Sequence, residues 1–227
     1  SDFWVFGYGS LIYNPIIDHT QRAIASIYGY HRRFCLWTKI GRGSPECPGL
    51  VLSLDRGGSC RGVAFQLNPQ NAIAELDLLW RREMMTLAYQ PRLLSLHTEI
   101  GVKRGLAFVA NPSRPAYAQR MPFETTVEVV ARAAGFNGPC RDYLYDTVKG
   151  MQACGIHDQQ LEKLVAAVQQ RRMSMAPRRP APPPRGKEEE EDMMMMMMND
   201  RRGMTAVAPP EQESAGQTAM EEEEEEE

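Results

Sequence analysis

Apolar residues early in the chain come in short runs broken by glycine and proline, and later recur three and four apart. Residues 3–6 read as a first strand, and 32–37 and 50–54 as two more, with the loop GRGSPECPG between them. Residues 61–67 follow the turn signal RGG and alternate as a strand does. In NPQNAIAELDLLWRREMM (68–85), an Asn-Pro start is followed by Ile73, Leu76, Leu79 and Trp80 at the spacing of one helix face. RLLSLHTEI (92–100) and LAFVAN (106–111) predict a hairpin turning around GVKRG. Three helices complete the pattern: 123–135 ending at Gly135, 140–155 ending at Gly155, and 156–170 with Asp158 as its N-cap. Strands first and helices later argue for an α+β fold, a curved mixed sheet or small barrel with helices at one side. No internal repeat is found.

The pattern stops near Gln170. Residues 171–227 contain no Phe, Tyr or Trp, but seven prolines, six consecutive methionines at 193–198 and seven closing glutamates. Such a segment buries too little apolar surface to offset the entropy of ordering it. The expected organisation is a folded domain over 1–170 and a disordered tail over 171–227. RRPAPPPR (178–185) suits an extended polyproline stretch, able to make weak contacts with a protein partner.

Charge divides at the same place. Residues 1–170 carry 18 Lys+Arg against 14 Asp+Glu, and the remainder 8 against 15. A mildly basic body suits a small acidic ligand, but it has no aromatic-interleaved basic patch for nucleic acid. The five cysteines show no CxxC spacing, which argues against a disulfide framework or thiolate metal site and fits a reducing compartment. No apolar stretch reaches the roughly 18 residues of a membrane span, and no signal-peptide pattern is seen. A cytoplasmic protein without membrane association is expected.

Two stretches hold candidate chemistry. In FGYGSLIY (6–13) a strand runs into Gly-Tyr-Gly-Ser. Either the glycines supply positive φ angles in an ordinary turn, or they uncover successive backbone N–H groups that cradle a carboxylate. The second stretch is WRREMM (80–85). Glu83 lies four residues from Leu79 and three from Trp80, on or beside the apolar face, with Arg81 and Arg82 outside. A carboxylate so placed is either half of an ion pair or a general base whose pKa is raised by burial. His19, His31, His97 and His157 are scattered without HxxxH or HExxH, so no metal is expected. No GxSxG occurs, and neither Ser10 nor any cysteine has a base placed beside it by pattern.

Seven stretches, in order, resemble the ChaC-like γ-glutamylcyclotransferase family, in its glutathione-specific branch. They are YGSLIY (8–13), GYHRRFCLW (29–37), RGSPECPGLVLSL (42–54), CRGVAFQL (60–67), LLWRREMMTLAYQPRLL (78–94), LAFVANPSRPAYA (106–118) and GFNGPCRDYLYDTVKGMQACGIHDQQLEKL (135–164). The resemblance implies a γ-glutamylcyclotransferase-like mixed β-barrel or curved sheet with flanking helices. It implies intramolecular cyclisation of the γ-glutamyl group of glutathione, releasing 5-oxoproline and Cys-Gly without a cofactor. Tyr8, Gly9, Ser10 and Leu11 match the substrate-cradling loop, Glu83 the catalytic glutamate, and Tyr143 a tyrosine near the substrate. Arg42, by its charge, is assigned to the glycine end of glutathione. The sequence departs from the family pattern where Arg81 separates Trp80 from Arg82-Glu83, and where Ser44 replaces an expected threonine. Alternatives are action on another γ-glutamyl amino acid or γ-glutamylamine, or an inactive binding protein on the same fold. Retention of Glu83 speaks against the last.

Overall fold

In the computed structural model, residues 2–174 are described. β1 (Trp4–Gly7) leads through the one-turn helix α1 (Ser10–Tyr13) into two long strands, β2 (His19–Thr38) and β3 (Gly49–Leu67). Helix α2 (Ala72–Met84) follows, then the hairpin of β4 (Tyr89–Thr98) and β5 (Gly101–Ala110). Next come α3 (Phe123–Arg132), the two-residue strands β6 (Ala134–Gly135) and β7 (Gly138–Pro139), α4 (Cys140–Ala153) and α5 (Gln159–Ser174). The first five strands close into a barrel in the order β1-β3-β2-β4-β5, antiparallel except where β1 and β3 meet β5. The fold is the α+β barrel with flanking helices that was expected.

Alternation along the strands gives the barrel two apolar faces. Val5, Phe34, Leu50, Leu52, Val63, Phe65 and Leu67 pack with residues of the helices, among them Leu79, Val130, Leu144, Met151 and Val168. A second cluster, built largely from the opposite face, carries Trp4, Phe6, Ala25, Ile27, Ala64, Leu96 and Ala107. Period-two side-chain placement puts Trp4 and Phe6 on one face and Val5 on the other.

Several expected boundaries shift for physical reasons. The strand expected at 32–37 begins at His19, and those at 50–54 and 61–67 are one strand. The RGG signal is a bulge in a continuous ladder: Gly57 (φ 95°) and Gly58 (φ 70°) lie opposite Gly29 (φ 82°), where pairing jumps from Tyr28↔Ser59 to Tyr30↔Arg56. The second hairpin turns at Glu99-Ile100, and GVKRG belongs to β5. α3 stops at Arg132, where Ala133 turns extended (ψ 139°), and Gly135 belongs to β6, packed so closely that a Cβ would strike Gly43 and Ile40. α5 runs to Ser174, with its Arg171 chelating Glu128 of α3 through Nε and Nη2 at 2.5 and 2.6 Å. Gly155 (φ 68°) ends α4, as expected, with Ile156 N–H donating to Met151 O at 2.9 Å. Asp158 caps α5 as expected, its Oδ1 accepting from Gln160 and Leu161 N–H at 3.1 and 3.2 Å. The polyproline stretch, the methionine run and the acidic end lie outside the described residues.

Candidate active site

β1 carries Tyr8 and Gly9 to the rim of the barrel. Neither Gly7 nor Gly9 has a positive φ, so the turn reading of this stretch is wrong. Close approach is what requires glycine. A Cβ on Gly7 would stand 2.9 Å from Phe65 Cε2 and 3.2 Å from Leu11 Cβ, and one on Gly9 would stand 3.2 Å from Tyr143 Oη. Leu11 and Ile12 anchor the following turn in the core. The turn is short, so the N–H groups of its first residues have no acceptor within the helix.

Arg32 holds this loop from below. Its side chain is only 2% exposed. Nε donates to Tyr8 O at 2.6 Å, Nη2 to Arg61 O at 2.6 Å, and Nη1 to Asp158 Oδ2 at 2.8 Å. The peptide unit is planar and trans, so fixing the Tyr8 carbonyl on the Arg32 side turns the Gly9 N–H to the other side. The Tyr8 phenol crosses the barrel end and donates to Phe108 O at 2.7 Å. Ser53, fully buried on β3, lies beside that phenol.

Glu83 comes from the last turn of α2, with its side chain 14% exposed. Arg82 was expected to face solvent. It turns inward instead: Nε lies 3.2 Å from Glu83 Oε1, and Nη2 donates to Ser10 Oγ at 2.9 Å. Of the predicted helix stripe, Leu79 is fully buried, Leu76 packs partly, and Trp80 and Ile73 are 48% and 82% exposed. The buried face is therefore centred on Leu79. Arg82 and Glu83, at i+3 and i+4, both flank it.

Tyr143 of α4 completes the cluster. Its ring meets Phe34 edge-on, with centroids 5.9 Å apart, and the Arg42 guanidinium carbon lies 5.6 Å from its ring centre. Tyr89, at the start of β4, was not anticipated; no pattern reveals which side chains a barrel rim turns inward. Its phenol lies near Tyr8, Glu83 and Tyr143.

Electrostatics follow from this burial. Desolvation raises the Glu83 carboxyl, and the Arg82 guanidinium pulls it part of the way back. Burial first, then neighbouring charges that include Glu83, lift the phenols of Tyr8, Tyr89 and Tyr143. All three stay protonated at neutral pH, and those of Tyr8 and Tyr89 donate to Phe108 O and Leu52 O. The arrangement offers one proton acceptor, a ring of neutral hydroxyls, and backbone N–H groups beside a serine bonded to an arginine.

Other chemistry is disfavoured. Burial pushes Cys35 up to about 12 and Cys60 and Cys140 up to about 11, which leaves these thiols unreactive at neutral pH. His19, His31 and His157 hold local partners, Ile17 O, Gly57 O and Glu162, and His97 stacks edge-on against Tyr28. Among the described residues, no three or more His, Cys, Asp or Glu side chains gather as metal ligands. No described helix is long and apolar enough to cross a membrane. A shallow cleft elsewhere is lined by Trp37, Pro48, Val129 and Glu128. There Arg171 holds the Glu128 carboxyl below its ordinary range, the reverse of what a general base needs.

Comparison with known proteins gives matches within one family. The sequence model of the ChaC-like protein family matches residues 3–171. The chain is 34% identical over 168 residues to a glutathione-specific γ-glutamylcyclotransferase of Escherichia coli, covering 74% of this chain and 73% of that protein. It is 33% identical over 172 residues to glutathione-specific γ-glutamylcyclotransferase 1 of Mus musculus, covering 73% and 77%. Among solved structures, the glutathione-specific γ-glutamylcyclotransferase of yeast superposes with a TM-score of 0.66 at 23% identity, covering 75% of this chain and 96% of that one. That likeness supports the fold.

Proposed function

The chain belongs to the ChaC-like family, and from that premise we propose that Glu83 and the Tyr8–Leu11 loop cyclise the γ-glutamyl group of glutathione. The protein is a γ-glutamylcyclotransferase that converts glutathione to 5-oxoproline and Cys-Gly. The observation that carries the site assignment is the link from base to loop. Glu83, its carboxyl raised by burial, is tied through Arg82 to Ser10 of the glycine-flanked turn.

The chemistry needs little more. The substrate's α-amine is protonated near neutral pH and must lose a proton before it attacks. Glu83 takes that proton, and its raised pKa narrows the gap to the amine. The amine nitrogen then bonds to the γ-carbonyl carbon of the same residue and closes a five-membered ring. The bond from that carbon to the cysteinyl nitrogen breaks as Glu83 returns the proton to the departing nitrogen, and the second proton that the ring nitrogen sheds in becoming a lactam passes by the same carboxylate to that nitrogen, so Cys-Gly leaves as its ammonium. No water is consumed, and the two products together have the composition of glutathione. Nucleophile and electrophile are already tethered, so positioning replaces much of the remaining work.

The loop does the positioning. Backbone N–H groups of Gly9, Ser10 and Leu11 receive the α-carboxylate of the γ-glutamyl group, with Arg82 adding charge beside Ser10. The Tyr143 hydroxyl, over Gly9, donates toward the reacting end of the substrate. The test is incubation of the purified chain with reduced glutathione and mass spectrometry of the products. Equimolar 5-oxoproline and Cys-Gly are expected. Turnover of γ-glutamyl-alanine but not of glutathione would assign a different γ-glutamyl substrate.

A further inference from the structure

Glutathione carries two carboxylates, and the cradle described above accounts for one. Two arginines approach Tyr13 at the site, Arg42 and Arg82. Arg82 is already engaged by Glu83 and Ser10. Arg42 is half-buried and, among the described residues, is paired with no carboxylate. Its hydrogen bond is a long one, 3.4 Å from Nη1 to Pro139 O, and its guanidinium rests on the Tyr143 ring at 5.6 Å. A cation withdrawn from water without an anion is costly unless a ligand supplies one.

The loop bearing Arg42 is held with unusual closeness. A Cβ on Gly43 would strike Gly49 N and Thr38 O, one on Gly49 would strike Arg42 O, and one on Gly135 would strike Gly43 and Ile40. Gly138 (φ 93°) leaves room for Arg42 Nη1, which a Cβ would approach to 3.4 Å. Phe136 and Asn137 N–H donate to Ile40 O and Gly41 O at 3.1 and 2.8 Å, tying the β6–β7 hairpin to the loop. Backbone is laid on backbone on both sides of Arg42, so the guanidinium sits on a rigid mount. Extended, the two residues of a leaving Cys-Gly span at most about 7 Å. The Arg42 guanidinium carbon, 5.6 Å from the Tyr143 ring centre, lies within such a span of that ring.

We propose that Arg42, mounted on the 41–49 loop and the β6–β7 hairpin, is the specificity-determining residue that binds the C-terminal carboxylate of the substrate's leaving dipeptide. The assignment rests on the glutathione reading above. It makes the site a reader of both ends of a γ-glutamyl tripeptide. Free cationic donors and a planar fork favour a carboxylate there over a neutral end.

The test compares glutathione with its glycine-amide analogue, equal in length but uncharged at that end, on the full chain and on Arg42→Gln and Arg42→Lys. The full chain should prefer glutathione in kcat/KM by about tenfold or more, the scale of one charge-assisted contact. Arg42→Gln should bring the two substrates to within about twofold of each other, chiefly through KM for glutathione, and Arg42→Lys should keep an intermediate preference. An unchanged preference in Arg42→Gln, including a uniform loss on both substrates, would overturn the assignment, as would a full chain indifferent to the amide. No 5-oxoproline from either substrate with the full chain would instead overturn the reading beneath it.

Discussion

Removing the Arg32 guanidinium tests how the cradle is built. In Arg32→Met, three acceptors lose their donors together: Tyr8 O, Arg61 O and Asp158 Oδ2. Breaking a buried ion pair from one side costs about 3–5 kcal/mol, because the remaining charge is stranded. The Asp158 side chain is 19% exposed, so water reaches it in part, and its Oδ1 still caps α5. The lower end of that range, about 3 kcal/mol, is therefore expected. For a domain of this size each kcal/mol lowers Tm by about 2–4 °C, which gives a fall of roughly 6–12 °C. Asp158→Asn keeps a good cap while losing the charge, and should cost less. Calorimetry measures both. Kinetics well below either midpoint should then show at least a tenfold loss of kcat/KM for Arg32→Met, since the Tyr8–Gly9 peptide is no longer aimed. A Tm within 2 °C of the parent (about 0.5–1 kcal/mol), or full activity in the folded variant, would refute the reasoning.

Further outcomes follow from the same geometry. The acidic limb of kcat/KM should lie above the ordinary glutamate pKa of about 4.3, because burial raises Glu83, and Arg82→Gln should move it to still higher pH by removing the opposing charge; a pH–rate series reads both. With its folded-state pKa above the unfolded one, ionised Glu83 costs stability above that pKa and nothing below the ordinary range. Glu83→Gln should therefore melt no lower than the parent at pH 8, with the difference shrinking toward pH 4, as followed by thermal scans. Gly9→Ala puts a methyl 3.2 Å from Tyr143 Oη and should lower turnover by about tenfold or more while Tm changes little, since the strain falls on a rim contact. A chain ending at Ser174 should keep the Tm and turnover of the full chain, and a large drop in either would show that residues beyond α5 contribute.

Much of the site was legible because its residues sit where local pattern is strongest. Glu83 announced itself as a carboxylate beside Leu79 on an amphipathic helix, and Asp158 as a cap before an apolar repeat. The role of Arg82 was open to the same argument, at i+3 from Leu79. Counting Trp80 in the stripe rotates the apparent face and leaves Arg82 outside it, whereas the indole is half exposed. Gly7 and Gly9 drew attention for the wrong local reason. Their need is set by Phe65, Leu11 and Tyr143. Contacts across such sequence distances leave no local signal. The same holds for Arg32, whose partners lie 24, 29 and 126 residues away. Long strands were cut short wherever glycines broke the alternation, because a bulge and a turn call on the same residues.

The most direct measurement of the central claim is the rate of 5-oxoproline formation from glutathione by the parent chain and by Glu83→Gln, at one pH, with melting curves for both. The amide keeps the shape of the carboxylate and loses the proton acceptor. The account predicts a loss of roughly 10²-fold or more in a variant that melts no lower than the parent. A folded variant that retains near-parental turnover would contradict it, and the base would have to be sought elsewhere.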